Sequence, residues 1–401
     1  MSASGSPDQH SPAGIPAFAG LKVALVHDWL TGMRGGEKVL DAVCELFPDA
    51  PLYTLVHVPG SVSPRIEGRH IVTSFAQALP NPRRFYRHYL PLYPLAVELF
   101  NLKGYDLVIS SSHCAVKSVK ARAGAVHVCY CHSPMRYAWD QFDAYFGADQ
   151  VGWLANRILA PVMGGLARWD AATAGRVDRF LANSQYVAGR IRRYYNRGST
   201  IVNPPVDTDY YSPDGRPRSP SFLIVSALVP YKRLDVAIEA CRSVGAHLRI
   251  VGTGAEEARL KALAGPTVEF LGWQPDERIR DLYRESQATL LPGVEDFGIV
   301  PVESQACGCP VVALNEGGAR ETVVPGATGL LVDEASPDAF AKSLTRLTAS
   351  TFDPAAIRAN ALRFSRAQFM ARFTAAVQEA LGQRAASRPR PVQQADPENR
   401  Q

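Results

Sequence analysis

Two glutamates, Glu295 and Glu303, stand with seven residues between them in GVEDFGIVPVESQACGCPVVAL, where one apolar strand gives way to the next. A packed core has no use for two carboxylates on such a turn. A ligand does, because an ionised carboxylate accepts hydrogen bonds from paired sugar hydroxyls. Gly298 permits a tight backbone path and Pro301 fits the first turn of a helix that Gly308 can end. The amides of Phe297, Gly298, Ile299 and Val300 then open that helix and can face phosphate oxygens. The turn NEGGARE, further on, repeats the glycine-rich design.

Two more strand–helix turns carry anion-binding chemistry. In VHDWLTGMRGGEKVL, strand Val23–His27 leads through Gly32 and the pair Gly35–Gly36 into a helix. Glycines let backbone approach a ligand, and the helix start offers free N–H groups and a positive dipole end. The spacing is not the G-x-G-x-x-G of dinucleotide folds, which argues against NAD. In SALVPYKRLDVAIEA, Lys232 and Arg233 lie between a strand and a helix, where cations suit a diphosphate. Two carboxylates alone say little; beside these turns they describe a site for a sugar joined to a diphosphate.

The elements that must position these residues alternate along the whole chain. Apolar runs KVALVHD, PLYTLVH, YDLVISS, AVHVCYC and RFLANS fill the first half. SFLIVSA, AHLRIVG, TVEFLGW, ATLLPG, CPVVAL and GLLVD fill the second, with amphipathic helical stretches between. Such alternation predicts α/β architecture with parallel sheets covered on both faces. The Pro- and Asp-rich stretch STIVNPPVDTDYYSPDGRPRSPS breaks the chain in two. We therefore expect two Rossmann-like, doubly wound domains facing a central cleft, over 21–203 and 204–370. A C-terminal helix over 371–383 can pack back on the first domain. Residues 1–20 and 384–401 are polar or Pro-containing and read as a disordered leader and tail.

Composition narrows the function classes. Hydrophobic content of 46% with 20% charged residues fits a soluble globular protein, and no apolar run is long enough to span a membrane. Seven cysteines without an export signal suit a reducing cytoplasm, and the pairs Cys129/Cys131 and Cys307/Cys309 lack zinc-ligand spacing. Residues 1–203 carry 21 Lys and Arg against 14 Asp and Glu, and the remainder 22 against 24, so the first half is the better partner for anions. The net charge of +5 is modest and no nucleic-acid motif appears, so nucleic acid is not an expected partner.

SALVPYKRLD, RIVGTGAEE, FLGW, GGARETV and the Glu-x7-Glu pair together resemble the retaining, nucleotide-sugar-dependent glycosyltransferases of family 4, which have the GT-B fold. The resemblance covers about residues 21–380. HDWLTGMRGGEKVL and YCHSPMRYAWDQF resemble a bacterial subgroup that includes mannosyltransferases of O-antigen and exopolysaccharide assembly. The resemblance implies that Glu295 binds donor-sugar hydroxyls, Glu303 the ribose and Lys232 the diphosphate, with Gly35 and Gly36 closing from the other domain. It also places His113 against the donor sugar. His132 and Arg136 become acceptor-side candidates, Arg136 for an anionic group, and His27 is read as structural. One departure stands out: relatives with SRLVP have an arginine where this chain has Ala227, and Arg233 is the candidate replacement.

The implied reaction transfers a hexose, with mannose from GDP-mannose the leading choice, to a saccharide or polyprenyl-diphosphate-linked acceptor with retention. It needs no protein nucleophile, so Glu295 orients the donor instead of attacking it, unlike the carboxylate of a retaining glycosidase. Domain closure would complete the site and exclude water. No cofactor and no metal are expected, since the sole D-x-D, Asp207–Asp209, falls in the linker and reads as a turn. The stretch Asn81–Phe100 mixes three arginines with aromatics, which suits either an anionic membrane surface on the inner face or a buried helix with a basic edge. Alternatives remain: a UDP-sugar-dependent transferase, an epimerase or phosphorylase on the same fold, or a non-catalytic nucleotide-sugar-binding protein.

Overall fold

The computed structural model describes residues 18–139 and 153–386; the expected leader up to residue 17, the tail from 387 and the segment 140–152 lie outside the described residues. Thirteen strands form two wholly parallel sheets among the described residues. The first has the order β3-β2-β1-β4-β5-β6-β7, from β1 (Val23–Leu30), β2 (Leu52–His57), β3 (Ile71–Thr73), β4 (Leu107–Ser112), β5 (Val126–Cys131), β6 (Arg179–Ala182) and β7 (Ser199–Ile201). The second has the order β10-β9-β8-β11-β12-β13, from β8 (Ser221–Val225), β9 (His247–Val251), β10 (Val268–Gly272), β11 (Ala288–Leu291), β12 (Val311–Leu314) and β13 (Gly329–Val332). Helices used below are α1 (Gly35–Leu46), α2 (Gln185–Tyr195), α3 (Leu234–Ser243), α4 (Ile299–Ala306) and α5 (Arg366–Ala386).

The sheets are buried on both faces, which is why their strands read as unbroken apolar runs. On β1, Leu25 packs into one core layer while Ala24 and Val26 pack into the other, as the two-residue strand period requires. All seven cysteines are buried, and burial pushes the thiols of Cys44, Cys129, Cys241 and Cys307 up to about 12. Those four thiols stay protonated, and all seven side chains pack as small apolar groups.

Three expectations change. Phe18, read as part of a disordered leader over 1–20, is buried in the core of the first sheet, its ring centroid 4.9 Å from that of Phe47. STIV is not all linker: Ser199–Ile201 forms the edge strand β7, and Ile71–Thr73 forms β3 at the opposite edge. Each is three half-buried residues long, too short to show a period. The C-terminal helix, read over 371–383, runs Arg366–Ala386 as α5. Its Phe369, Phe373, Ala376, Val377 and Ala380 fall on one helical face and join the core of the first sheet beside Leu25 and Tyr130. The second domain thus ends before Arg366, where Ser365 bridges to Val206 of the linker.

In both sheets the strand order reverses beside the first strand of the domain, between β1 and β4 and between β8 and β11. Ligands of doubly wound folds sit in the crevice beyond the carboxyl ends of strands at such a switch. The connections after β1, β4, β8 and β11 lead to Gly35–Gly36 at the start of α1, His113, Lys232 and Glu295 respectively.

His127, fully buried on β5, adds a pH dependence. Its ring meets Ser110 Oγ (2.8 Å) and the Arg176 carbonyl (3.1 Å), and burial pushes its pKa from 6.5 down to about 4. Between those values the unfolded chain binds a proton that the folded chain refuses. Its contribution is therefore fully present above about pH 6.5 and is lost as pH falls through 4, on the order of 3 kcal/mol. Urea midpoints taken at neutral pH and near pH 4 should fall accordingly, and His127→Gln should flatten that fall.

Candidate active site

Two adjoining cavities of about 740 and 770 Å³ fill the cleft between the sheets. The second-domain wall is built from the loops after β8 and β11. Lys232, at the end of a short 3-10 turn, pairs with Glu295, both largely shielded from solvent. Gly293 makes this possible, because a Cβ there would lie 2.6 Å from the Tyr231 carbonyl oxygen. Gly317 and Gly318 press the next turn under the same loop: added Cβ atoms would lie 2.2 Å from the carbonyl oxygens of Glu295 and Phe297. Gly318 N–H donates to the Glu295 carbonyl at 2.8 Å. The glycines of NEGGARE therefore support the Glu295 loop.

Gly298, with φ of +85°, turns the chain into α4, and Pro301 and Gly308 sit inside and just past the helix. Phe297 packs inward against Phe364, leaving its backbone on the cleft, while Ile299 and Val300 line it. Glu303 is buried on α4. It takes Lys38 Nζ of the first domain at 2.9 Å and the Tyr283 hydroxyl at 3.2 Å. Glu303 raises the Lys38 pKa against the opposing effect of burial, so the ammonium is held charged.

The first-domain wall faces it. A Cβ on Gly35 would lie 3.0 Å from Ile299 Cδ1, so this turn meets α4 across the cleft. Gly36 covers two imidazoles: its Cβ position lies 3.7 Å from His132 Nε2 and from His27 Cε1. His113 and His132 both line the cavity, with ring centroids 6.3 Å apart. His27 lies beneath them, fully buried, 6.1 and 6.4 Å from the two rings. Burial holds both His113 and His132 below the ordinary imidazole range, and Asp28 only partly offsets this for His113, so both rings are neutral at neutral pH. Arg136 pairs with Asp296 of the other domain. Burial works against its charge, but Asp296 overrides that and holds the guanidinium above its ordinary value.

The cleft is also stitched along one edge. Ser184 caps α2 and donates to the Asp296 carbonyl at 2.6 Å, while Glu321 of the second domain accepts the Gln185 N–H at 2.6 Å. A carboxylate at a helix N-terminus is favoured by the exposed amides and the helix dipole.

The structure brings together Gly35, Gly36, His113, His132, Arg136, Lys232, Glu295, Phe297, Gly298, Ile299, Val300 and Glu303. Arg233 is not among them. It adopts left-handed backbone (φ +49°) at the start of α3, and its exposed side chain pairs with Asp235 at 3.5 Å. Ala227 does line the cavity, so Arg233 does not fill the place of the arginine absent there. The turn reading of Asp207–Asp209 agrees with the Asp207 carboxylate accepting the Tyr210 N–H at 2.9 Å.

Sequence reading missed four residues. Asp28, fully buried on β1, accepts the backbone N–H groups of His113 and Cys114 (2.7 and 2.8 Å) and of Ala115 and Val116 (2.7 and 3.0 Å). It also lies 3.4 Å from His113 Nδ1. Lys38 and Glu37, both in RGGEK, gave a local signal as charges flanking the glycine pair. Ser111, in a run of three serines, gave none.

Comparison with known proteins places this geometry. The model of the Glycosyltransferase Family 4 domain matches residues 33–210 and that of Glycosyl transferases group 1 matches 213–364. D-inositol 3-phosphate glycosyltransferase of Rhodococcus opacus is 32% identical over 273 residues, 55% of this chain and 61% of that protein. The GDP-mannose-dependent alpha-(1-6)-phosphatidylinositol monomannoside mannosyltransferase of Mycobacterium tuberculosis is 30% identical over 233 residues, 48% and 60% respectively. The match spans less than two thirds of each of these relatives. Among solved structures, Anabaena Alr3699/HepE in complex with UDP and glucose aligns with a TM-score of 0.64 at 19% identity, over 89% of this chain and 99% of that one. Sucrose-phosphate synthase of Thermosynechococcus elongatus aligns with a TM-score of 0.64 at 20% identity, over 90% and 98%. The two models together match most of the chain, though neither matches half of it alone, so the chain is similar to the family 4 glycosyltransferases, and its likeness to these structures shows the GT-B fold.

Proposed function

We propose that the protein transfers a hexose from a nucleoside-diphosphate sugar to a hydroxyl of a saccharide or polyprenyl-diphosphate-linked saccharide, with retention and without a metal. The observation that carries this reading is the pairing of Lys232 with Glu295 above the N-terminus of α4, facing His113 across a cleft of sugar-nucleotide size. Lys232 and the α4 amides are placed to meet the negative charge that grows on the leaving diphosphate. Glu295 takes the sugar hydroxyls and Glu303, with Lys38, the ribose side. GDP-mannose is the favoured donor, on the strength of the mannosyltransferase relative; a UDP-sugar is the alternative. Assembly of a cell-surface polysaccharide in the cytoplasm, at the inner face of the membrane, is the setting this chemistry suits.

The test is release of GDP from GDP-mannose, or of UDP from UDP-glucose, stimulated by a polyprenyl-diphosphate-linked saccharide. Formation of a sugar 1-phosphate that depends on added phosphate would indicate a phosphorylase. A free epimer would indicate an epimerase, and binding without release a non-catalytic protein. Gly35→Val should push α1 from Ile299 and raise the donor KM about tenfold, equal to about 1.4 kcal/mol, with thermal stability unchanged. Gly35→Ala should do less, since the tip of Ile299 can yield.

The acceptor-side reading extends to residues 81–100. Leu92, Leu95 and Leu99 are exposed (41, 57 and 64%) beside exposed Arg83, Arg84 and Arg87, while Tyr93, Ala96 and Val97 fill the core. Arg87 also lines the cleft. An apolar ridge edged with cations suits an anionic membrane that carries the acceptor. Sedimentation with phosphatidylglycerol vesicles, absent with phosphatidylcholine and lost in Leu95→Ser/Leu99→Ser, is the expected result. No helix among the described residues is long and apolar enough to cross a membrane.

A further inference from the structure

The floor of the cleft contains a hydrogen-bonded chain that the donor site does not use. The β1–β4 register sets His27 opposite Ser111, and the β4–β5 register brings His132 beside them, its backbone N–H donating to the Ser112 carbonyl at 2.8 Å. Ser111 Oγ lies 3.0 Å from His27 Nδ1 and 2.8 Å from His132 Nε2. On the far side, His27 Nε2 has no hydrogen-bond partner among the described residues, and the Glu37 carboxylate stands 3.7 Å from it. His27 and Glu37 are both buried, at 0 and 3% exposure.

One hydroxyl hydrogen cannot serve two imidazoles. At least one of the two ring nitrogens must therefore carry an N–H that the serine oxygen accepts. The carboxylate decides which. A bare Nε2 lone pair on His27 facing ionised Glu37 is repulsive, whereas an N–H facing it is attractive. With a single proton on its ring, His27 therefore carries it on Nε2 and leaves Nδ1 to accept from Ser111. The serine oxygen in turn accepts the Nε2–H of His132. We propose that Glu37, His27 and Ser111 are positioning residues that hold His132 with its proton on Nε2, so that a bare Nδ1 faces the cleft and accepts the hydrogen of the acceptor's attacking hydroxyl. Only the identity of that hydroxyl rests on the glycosyl-transfer reading. The acceptor is assigned because Lys232, Glu295 and Glu303 occupy the opposite, donor-side wall. Burial independently favours the neutral ring, since His132 lies well below the ordinary imidazole range. Gly36, closing over both rings, shields the chain from water that would scramble the proton positions.

The test reads the tautomer directly in the full-length protein. Long-range proton–nitrogen correlation spectra of histidine-labelled protein near neutral pH distinguish a bare Nδ1 from a bare Nε2, with the His132 signal identified by its loss in His132→Asn. The expected wild-type result is a bare Nδ1; a proton on Nδ1, or a charged ring, would overturn the inference without any variant. Ser111→Ala should give a mixture of tautomers and Ser111→Thr should restore one; an unchanged Ser111→Ala spectrum would also overturn it. Glu37→Met should mix the tautomers as well, since the carboxylate that orients His27 is gone. Thermal shifts with GDP-mannose and UDP-glucose, run on the same proteins, separate this from the activity. No shift in wild type removes the acceptor hydroxyl from the proposal but leaves the tautomer result standing. A shift kept in Ser111→Ala supports assignment to the acceptor, and a shift lost there would mean the trio props the donor site instead.

Discussion

Lys232→Ala is expected to lower kcat by about 10²–10³, equal to about 2.7–4 kcal/mol of transition-state stabilisation, the range seen when one donor to a developing anion is removed. The argument is one of position. Lys232 is held at the end of β8 by the 3-10 turn and by the Gly293 contact, and it is largely shielded from water, where a charge interacts more strongly than in bulk solvent. The substitution also leaves Glu295 without its cation, so donor binding should weaken alongside turnover. Lys232→Arg should recover only part of the rate, because the longer planar fork cannot occupy the place of a compact ammonium. Stability should barely change, since no core packing is lost. Steady-state kinetics with the donor varied, beside a thermal melt, checks both statements. A fall in Tm matching the fall in rate would mean that Lys232 is structural.

Asp28→Ala is expected to cost more than about 4 kcal/mol of stability, a large share of the 5–15 kcal/mol that holds a typical domain together. Its two oxygens satisfy four backbone N–H groups where no water reaches, and each buried donor left without a partner costs about 1–3 kcal/mol. Asp28→Asn keeps one acceptor oxygen and should lose about half as much. Because those amides belong to the turn that carries His113, a folded Asp28→Asn protein should also turn over more slowly, with donor KM little changed. Urea unfolding of both variants measures the first effect and kinetics of the asparagine variant the second. An alanine variant as stable as wild type would show that the turn has another way to satisfy its amides.

What could be read from the chain alone follows from how far each interaction reaches along it. Glu295, Gly298, Pro301, Glu303 and Gly308 lie within one strand–helix turn, so type and spacing were enough to place them. Strand–helix alternation gave the architecture, because parallel sheets bury both faces and leave continuous apolar runs. The links from Lys38 to Glu303 and from Asp28 to the 113–116 amides join residues 265 and 85 or more apart. They exist only because the strand order sets β1 beside β4 and closes α1 onto α4, which no local pattern encodes. Arg233 shows the opposite failure. Its place beside Lys232 suggested a shared role, but left-handed backbone at that one residue turns its side chain out to Asp235. Ser111 was invisible for a third reason, since a serine on a buried strand looks the same whether it bridges two imidazoles or merely fills space.

The central claim, that this cleft takes a nucleoside-diphosphate sugar, is tested most directly by a thermal-shift panel of GDP-mannose, GDP, UDP-glucose, UDP-N-acetylglucosamine and UDP on wild type and on Glu303→Ala. A ligand at a hundredfold its dissociation constant stabilises the fold by about 2.7 kcal/mol. The account predicts a shift with one nucleotide family, GDP first, that disappears in a folded Glu303→Ala protein. No shift with any of the five in wild type would contradict it, and so would a shift that survives unchanged without Glu303.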